Sequence, residues 1–337
     1  MTTSPMLGGF KILQGMAGFS LVRSVKSGYS PAQICRAITR KRINLSYLSL
    51  IHNGQFWGLY TIFDPIDGPK LSPLLEETTG KRISYSSGTA VVSLFPHKND
   101  PDITGRLLEI LGKTDVMPDS MANSPSAISL VLKERHLDTI KKGLFESFTF
   151  SAYRTPEDWK LAQKGKEDVY KEVIASYQEQ KPKVYGLEYY DSSELLQATI
   201  SDQHMPPLGT AFKGYAQAGL NLILSSICPY GYKAKILSFC LPELTSGSNA
   251  GSIKTSHLTK PVNRLAPVAV FSMNGPHFGD RYGIASGLLT AFEENHINLL
   301  CLNCTIASII GVVPYRQLDS CIRTIKGYFD VPGVIKR

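Results

Sequence analysis

The stretch Asn274-Gly275-Pro276-His277-Phe278-Gly279-Asp280-Arg281-Tyr282-Gly283 gathers more groups able to hold a small polar ligand than any other part of the sequence. Glycines at 275, 279 and 283 let backbone approach a ligand closely. A loop that ends at a helix start also offers unpaired N–H groups and the positive end of the helix dipole, a setting suited to a carboxylate. Asp280 or Arg281 could pair with an amino or a carboxyl group. The competing reading is that Asp280 caps the helix and the glycines only turn the chain. The loop Asp202-Gln203-His204-Met205-Pro206-Pro207-Leu208-Gly209 is a second segment of this kind.

Other chemistries find less support. Cys301 and Cys304 form a CxxC pair, but on a β-strand residues three apart point to opposite faces, and one pair without a second is weak grounds for zinc. The seven histidines show no HExxH or comparable ligand spacing. Only His277, inside the glycine loop, is singled out as a contact for a small molecule, against the alternative of a solvated loop histidine. No GxxxxGK[ST] phosphate loop occurs. No metal, cofactor or catalytic residue is therefore expected.

Something must position those loops. The chain has 337 residues with 43% hydrophobic and 19% charged, globular values for about two domains of ordinary size. The net charge of +8 is scattered rather than blocked, which suits solubility better than a nucleic-acid track. Six cysteines and the absence of a charged leader ahead of an apolar run point to reduced thiols and a cytoplasmic protein. Three near-spanning uncharged stretches, 43–63, 214–232 and 295–315, are each broken by turn chemistry, such as Asn53-Gly54 and Pro229-Tyr230-Gly231. They read as buried hairpins, with no membrane span.

Those stretches open alike, with Ile43-Asn44-Leu45, Leu220-Asn221-Leu222 and Ile297-Asn298-Leu299, which demands an internal repeat. The last copy is the most regular. A strand at 268–273 leads into the glycine loop, and a helix at 283–295 carries Ile284, Leu288, Leu289 and Phe292 on one face. Strands at 297–304 and 306–313, a helix at 316–328 and a short strand at 331–335 complete βαββαβ, the ferredoxin-like unit. The first copy follows the same order, with a strand at 19–25, a helix at 31–42, a hairpin through Asn53-Gly54, a helix at 71–79 and a strand at 82–86. The second lies between 90 and 153, its middle strand weakened by Met117-Pro118. A Lys- and Glu-rich helix at 155–180 connects the halves. A hairpin of 183–190 with 194–201 then opens the third copy, whose second helix is missing or displaced into the Ser/Gly-rich run 245–252. The expected fold is α+β: tandem ferredoxin-like units with antiparallel sheets, at 9–87, 88–153, 182–263 (incomplete) and 264–337, with 154–181 as connector. Exposed sheet edges should pair within the chain or between two copies.

The stretch VAVFSMNGPHFGDRYGIASGLLTAFEENHINLL, continuing to SIIGVVPYRQLDSCIRTIKGYF, resembles an ACT domain, the small βαββαβ regulatory module of amino-acid metabolism. VYGLEYYDSSELLQATISDQHMPPLGTAFKGYAQAGLNLILSSI is similar to the first of the tandem ACT domains of aspartate kinases. The resemblance implies a small effector, an amino acid, bound by the loop at 274–283 with Ile284, near Asn298 and Leu299 where the neighbouring strand begins. It implies a second such site at Asp202, Gln203, Leu208, Gly209 and Asn221, although that loop has residues beyond the family's Asp-x-Pro-Gly pattern. The Lys-Phe-Gly-Gly start of amino-acid kinases is absent. The resulting expectation is a non-catalytic sensor, not an enzyme, that resembles the regulatory half of aspartate kinases without the kinase domain and acts on a partner enzyme of amino-acid biosynthesis. The alternative is an aspartate kinase-related enzyme with an unrecognised catalytic region at 90–190. RNA binding ranks last, because the hairpin strands are aliphatic except around Tyr47, Phe56, Trp57 and Tyr60.

Overall fold

The computed structural model describes residues 4–163, 181–201, 204–230, 234–243, 262–275, 281–305 and 308–337. After a short β1 (Met6–Leu7), the chain enters a strand of 16 residues, β2 (Gly9–Ser24). Ser30 then starts α1 (Pro31–Arg40) with a reciprocal cap: its hydroxyl accepts from Gln33 N, and its own N–H donates to the Gln33 side chain. β3 (Leu45–His52) and β4 (Phe56–Phe63) form the hairpin expected at Asn53-Gly54, with Gly54 at a φ of +89°. A 3-10 turn at Pro65–Asp67 leads to α2 (Gly68–Thr79).

The strand expected at 82–86 is displaced. β5 (Ser86–Phe95) begins where it was expected to end and serves two units, pairing with β2 from Gly18 opposite Ser86 down to Gly9 opposite Phe95. The second unit continues with α3 (Pro101–Lys113), β6 (Ser120–Asn123), β7 (Ile128–Lys133), a 3-10 turn at Glu134–His136 and α4 (Leu137–Ser147). β6 is short because it starts only after Pro118. The closing β8 (Thr149–Phe150) pairs with β1 alone, and the first half of β2 takes the fourth-strand place in this unit's sheet. Of the connecting helix, α5 (Pro156–Gln163) is present and 164–180 lies outside the described residues.

The hairpin expected at 183–201 does not form. β9 (Gly186–Ile200) is one strand, bonded to its neighbours on both sides. Asp191-Ser192-Ser193 suggested a turn, but the first two side chains are satisfied in the extended chain: Lys336 pairs with Asp191, and Ser192 donates to Glu243 at 2.5 Å. α6 (Met205–Gln217), β10 (Leu224–Pro229) and β11 (Lys235–Pro242) complete what is described of the third unit. Its second helix was expected missing or displaced; 244–261 lies outside the described residues. β12 (Val262–Asn274) starts six residues before the expected strand, because its first part pairs with the second half of β9. α7 (Ile284–Glu294), β13 (Cys301–Thr305), β14 (Ser308–Pro314), a 3-10 turn at Tyr315–Gln317, α8 (Leu318–Tyr328) and β15 (Val334–Lys336) form the last unit. The strand, 3-10 turn, helix sequence recurs three times at matching places, and this recurrence supports the repeat.

The fold is α+β, built of ferredoxin-like units with antiparallel sheets, apart from the short strands β8 and β15, which pair parallel with β1 and β9. Their edges pair within the chain: β3 of unit 1 lies antiparallel to β13 of unit 4, and β6 of unit 2 to β10 of unit 3. The long strands β2, β5, β9 and β12 pass from one pair of units to the other. The strand order β11-β10-β6-β7-β5-β2-β4-β3-β13-β14-β12-β9 closes because β9 also pairs with β11. One core lies under the helices of units 2 and 3, including Phe10, Leu107, Leu208 and Phe239, and a second under those of units 1 and 4, including Trp57, Phe271, Leu288 and Ile325. A third fills the space between the two sheets, with Tyr47, Val91, Cys228 and Cys301.

That inner layer is partly polar. Tyr47 OH is 2.8 Å from Ser120 Oγ, and Ser49 Oγ is 2.9 Å from Ser226 Oγ. Asn303 Oδ1 accepts from Ser49 at 3.0 Å and from Ser226 at 3.2 Å. Each unit thus contributes one central strand to a hydrogen-bonded node, which fixes the two pairs in register where apolar contact alone would let them slide.

Candidate functional site

α1 of unit 1 lies beside α7 of unit 4 and β3 lies antiparallel to β13, and among the described residues two clefts open between these units. In the first, Arg281, Gly283 and Ile284 at the start of α7 face Thr39, Ile43, Asn44 and Leu45 of unit 1, over Cys35 and Cys304. It is nearly closed, with about 30 Å³ of open space, enough for a water or two. Gly283 has a φ of +91°, and a Cβ there would stand 2.9 Å from Thr39 Cγ2. Burial pushes the Cys35 thiol up to about 12, so the sulfur facing this cleft is a neutral apolar group rather than a nucleophile.

In the second cleft the roles of the units reverse. Ser30, Pro31 and Ala32 at the start of α1 face Ile297, Asn298 and Leu299 of unit 4, with Leu50, His52, Leu289, Phe292 and Glu293 around them. About 210 Å³ is open here. His52 Nδ1 lies 2.6 Å from the Leu299 carbonyl. A carbonyl only accepts, so Nδ1 carries the proton of the neutral ring and Nε2 is left as an acceptor. Glu293 pairs with Arg36 at 3.1 Å, both side chains about two-fifths exposed.

The structure therefore separates residues that the sequence reading had grouped. Arg281, Gly283 and Ile284 line one cleft against unit 1, whereas Asn298 and Leu299 line the other against Ser30 and Pro31. The signal for this was present in the repeated Ile-Asn-Leu openings. What it lacked was the swap between units, which only the pairing of β3 with β13 supplies. Tyr282 adjoins the start of α7, and Asn274 ends β12, where its carbonyl accepts from Tyr185 N at 2.7 Å. Gly275 is buried beside it. His277, Phe278, Gly279 and Asp280, with Asp202 and Gln203, lie outside the described residues.

In the pair formed by units 2 and 3, the described residues meet directly at the place corresponding to the larger cleft. Leu222 N donates to Asn99 O at 2.8 Å, joining loop to strand directly, next to the exposed Asn221. Leu208 is 1% exposed in the core, and Gly209 lies against Gly105 of α3, so both are taken up by helix packing. Tyr47, Trp57 and Tyr60 are at most 5% exposed and offer no surface on which bases could stack. Cys301 faces the inner layer and Cys304 the helix side.

His52 and the similarly buried His97, whose Nε2 meets the Ser124 carbonyl, make stability depend on pH. Burial holds both imidazoles below their ordinary value of 6.5. Between the depressed folded pKa and 6.5 the unfolded chain binds more protons, so the stability they contribute is full above pH 6.5 and is lost as pH falls toward the folded value. The urea midpoint should drop between pH 7 and pH 5, and a His52→Asn, His97→Asn double variant should drop less.

Compared with solved structures, the chain is similar to the aspartate kinase of Synechocystis, with a TM-score of 0.76 and 15% identity over 96% of this chain and 56% of that one. The chain thus spans little more than half the length of that protein, and at this identity the likeness is one of fold. The regulatory subunit of aspartate kinase from Thermus thermophilus matches 42% of this chain and 99% of its own at 12% identity, with a TM-score of 0.38 too low to carry an argument. No protein-family model matches the chain, and no curated protein matches it.

The Synechocystis likeness corrects the sequence reading. The likeness was expected to be confined to a regulatory region set apart from the kinase, and the protein was taken for a non-catalytic regulator. The match instead runs along nearly the whole chain onto an aspartate kinase, which is an enzyme. Among the described residues no helix is long and apolar enough to cross a membrane.

Proposed function

We propose that this is an aspartate kinase-related protein serving phosphoryl transfer to an amino acid, and that units 1 and 4 hold the small effector, itself an amino acid, that sets the rate. The observation that carries the effector part is the open cleft between the capped start of α1 and Asn298-Leu299, at a place where the loop of one unit meets the strand of another. β3 supports the coupling. Leu50 and His52 line the cleft, and Tyr47 and Ser49 on the opposite face of the same strand bond to units 2, 3 and 4. A ligand that moved β3 would be felt by both pairs. The buried, unpaired thiols suit a reducing, cytoplasmic setting.

The test is to supply the protein, as its cell makes it, with ATP, magnesium and aspartate and to trap aspartyl phosphate with hydroxylamine. Turnover that changes severalfold with an amino acid that also raises the melting temperature is the expected result. No turnover under any of these conditions would contradict the kinase reading, and turnover indifferent to a bound amino acid would contradict the effector reading.

A further inference from the structure

The effector reading leaves the ligand's chemistry open, and the inference drawn here rests on that reading. We infer that the larger cleft takes an α-amino acid with an apolar side chain, held at its charged end by the Arg36–Glu293 pair.

The inner wall comes first. Leu50, Leu289, Phe292, Ile297 and Leu299 form it, and together they offer a ligand no hydrogen bond from their side chains. A lysine ammonium or an aspartate carboxylate placed against these five side chains would lose water without a counter-charge, since His52, which also lines the cleft, offers only a neutral Nε2 acceptor. An aliphatic or aromatic side chain gains there by the apolar surface it removes from water. The open volume, about 210 Å³, is below the roughly 300 Å³ at which drug-sized pockets begin, and so fits an amino acid rather than a nucleotide.

The polar groups lie elsewhere and most are committed. Ser30 is bound up in its reciprocal cap with Gln33, so the start of α1 is already satisfied on that side. The backbone N–H of Asn298 donates to Gln317 Oε1 at 2.8 Å. The charges left beside the cleft are those of Glu293, which lines it, and Arg36, which reaches Glu293 from α1. Their contact joins α1 of unit 1 to α7 of unit 4 and is half open to water, so opening it costs little, as for exposed ion pairs generally. A zwitterion carries the complementary arrangement: its ammonium meets the Glu293 carboxylate and its carboxylate meets the Arg36 guanidinium. The pair is thereby extended through the ligand instead of being lost. A ligand with only one of the two charges leaves one partner unmatched.

The experiment is titration calorimetry of the full chain with leucine, methionine and phenylalanine, and separately with lysine, threonine and aspartate. Two single-charge probes accompany them: 4-methylpentanoate, which is leucine without its amino group, and isopentylamine, which lacks its carboxylate. At least one apolar amino acid should bind, each single-charge probe at least tenfold more weakly, and the three polar amino acids more weakly still. Glu293→Gln and Arg36→Met, at side chains about two-fifths exposed whose replacement should leave folding intact, should each weaken the apolar ligand at least tenfold. Lysine or threonine binding in place of the apolar set, with loss on Glu293→Gln, would overturn the apolar assignment and leave the effector reading standing. Apolar ligands that bind with no response to either variant would overturn the clamp. No binding by any of the six to a folded chain would remove the effector reading, and this inference with it.

Discussion

Replacing Gly105 by alanine should cost about 3 kcal/mol of stability, although alanine is the better helix former. Gly105 sits where α3 crosses α6. A Cβ there would stand 2.7 Å from the Gly209 carbonyl oxygen and 3.2 Å from Lys213 N. These are backbone atoms and cannot swing aside, so the helices must separate, stretching the Lys213–Glu109 contact of 2.7 Å between them. Gly327 in α8 is the control, since a Cβ there meets nothing within 4 Å. Gly327→Ala should stabilise by about 0.5 kcal/mol through backbone entropy. Urea denaturation followed by circular dichroism reads both, and a Gly105→Ala variant as stable as the parent would show that the units 2 and 3 interface has slack.

Asn303→Leu should be comparably harmful, at about 3 kcal/mol. The side chain is fully buried between the sheets, and its Oδ1 serves both Ser49 and Ser226. Leucine fills a similar volume but leaves the Ser49 and Ser226 hydroxyls only each other, 2.9 Å apart, so that one of the two stays without an acceptor at a desolvation cost of about 1–3 kcal/mol. The effect should be non-additive. Adding Ser49→Ala and Ser226→Ala to Asn303→Leu removes the stranded hydroxyl and should restore part of the loss, so that the triple variant is more stable than Asn303→Leu alone. If the two alanines only destabilise further, the node is not the cooperative unit that its distances describe.

The elements whose residues alternate or repeat locally could be read from sequence. Asn53-Gly54 announced its hairpin because few residues accept the positive φ such a turn requires, and the stripe of Ile284, Leu288, Leu289 and Phe292 announced α7. The errors share one physical cause, strands that serve two units at once. β2, β5, β9 and β12 continue past the length one unit needs because a second unit supplies partners for the excess, and nothing local in Asp191-Ser192-Ser193 reveals that the chain stays extended there. The site was half legible for the same reason. Arg281 and Gly283 before α7 and the Asn298-Leu299 step were picked out, but each faces the other unit, so their true neighbours at Ile43–Leu45 and Ser30–Ala32 depend on a contact made across about 250 residues of chain.

The most direct test of the account is hydrogen exchange of the full chain, followed by mass spectrometry of its peptides, with and without whichever amino acid calorimetry shows to bind. The account predicts slowed exchange in peptides covering Ser30–Ala32, Leu50–His52 and Ile297–Leu299, with little change at Asn99–Pro101 and Leu220–Leu222, where the second pair is already closed. Slowed exchange at the latter two segments, with none at the first three, would place the ligand between units 2 and 3 and contradict the account.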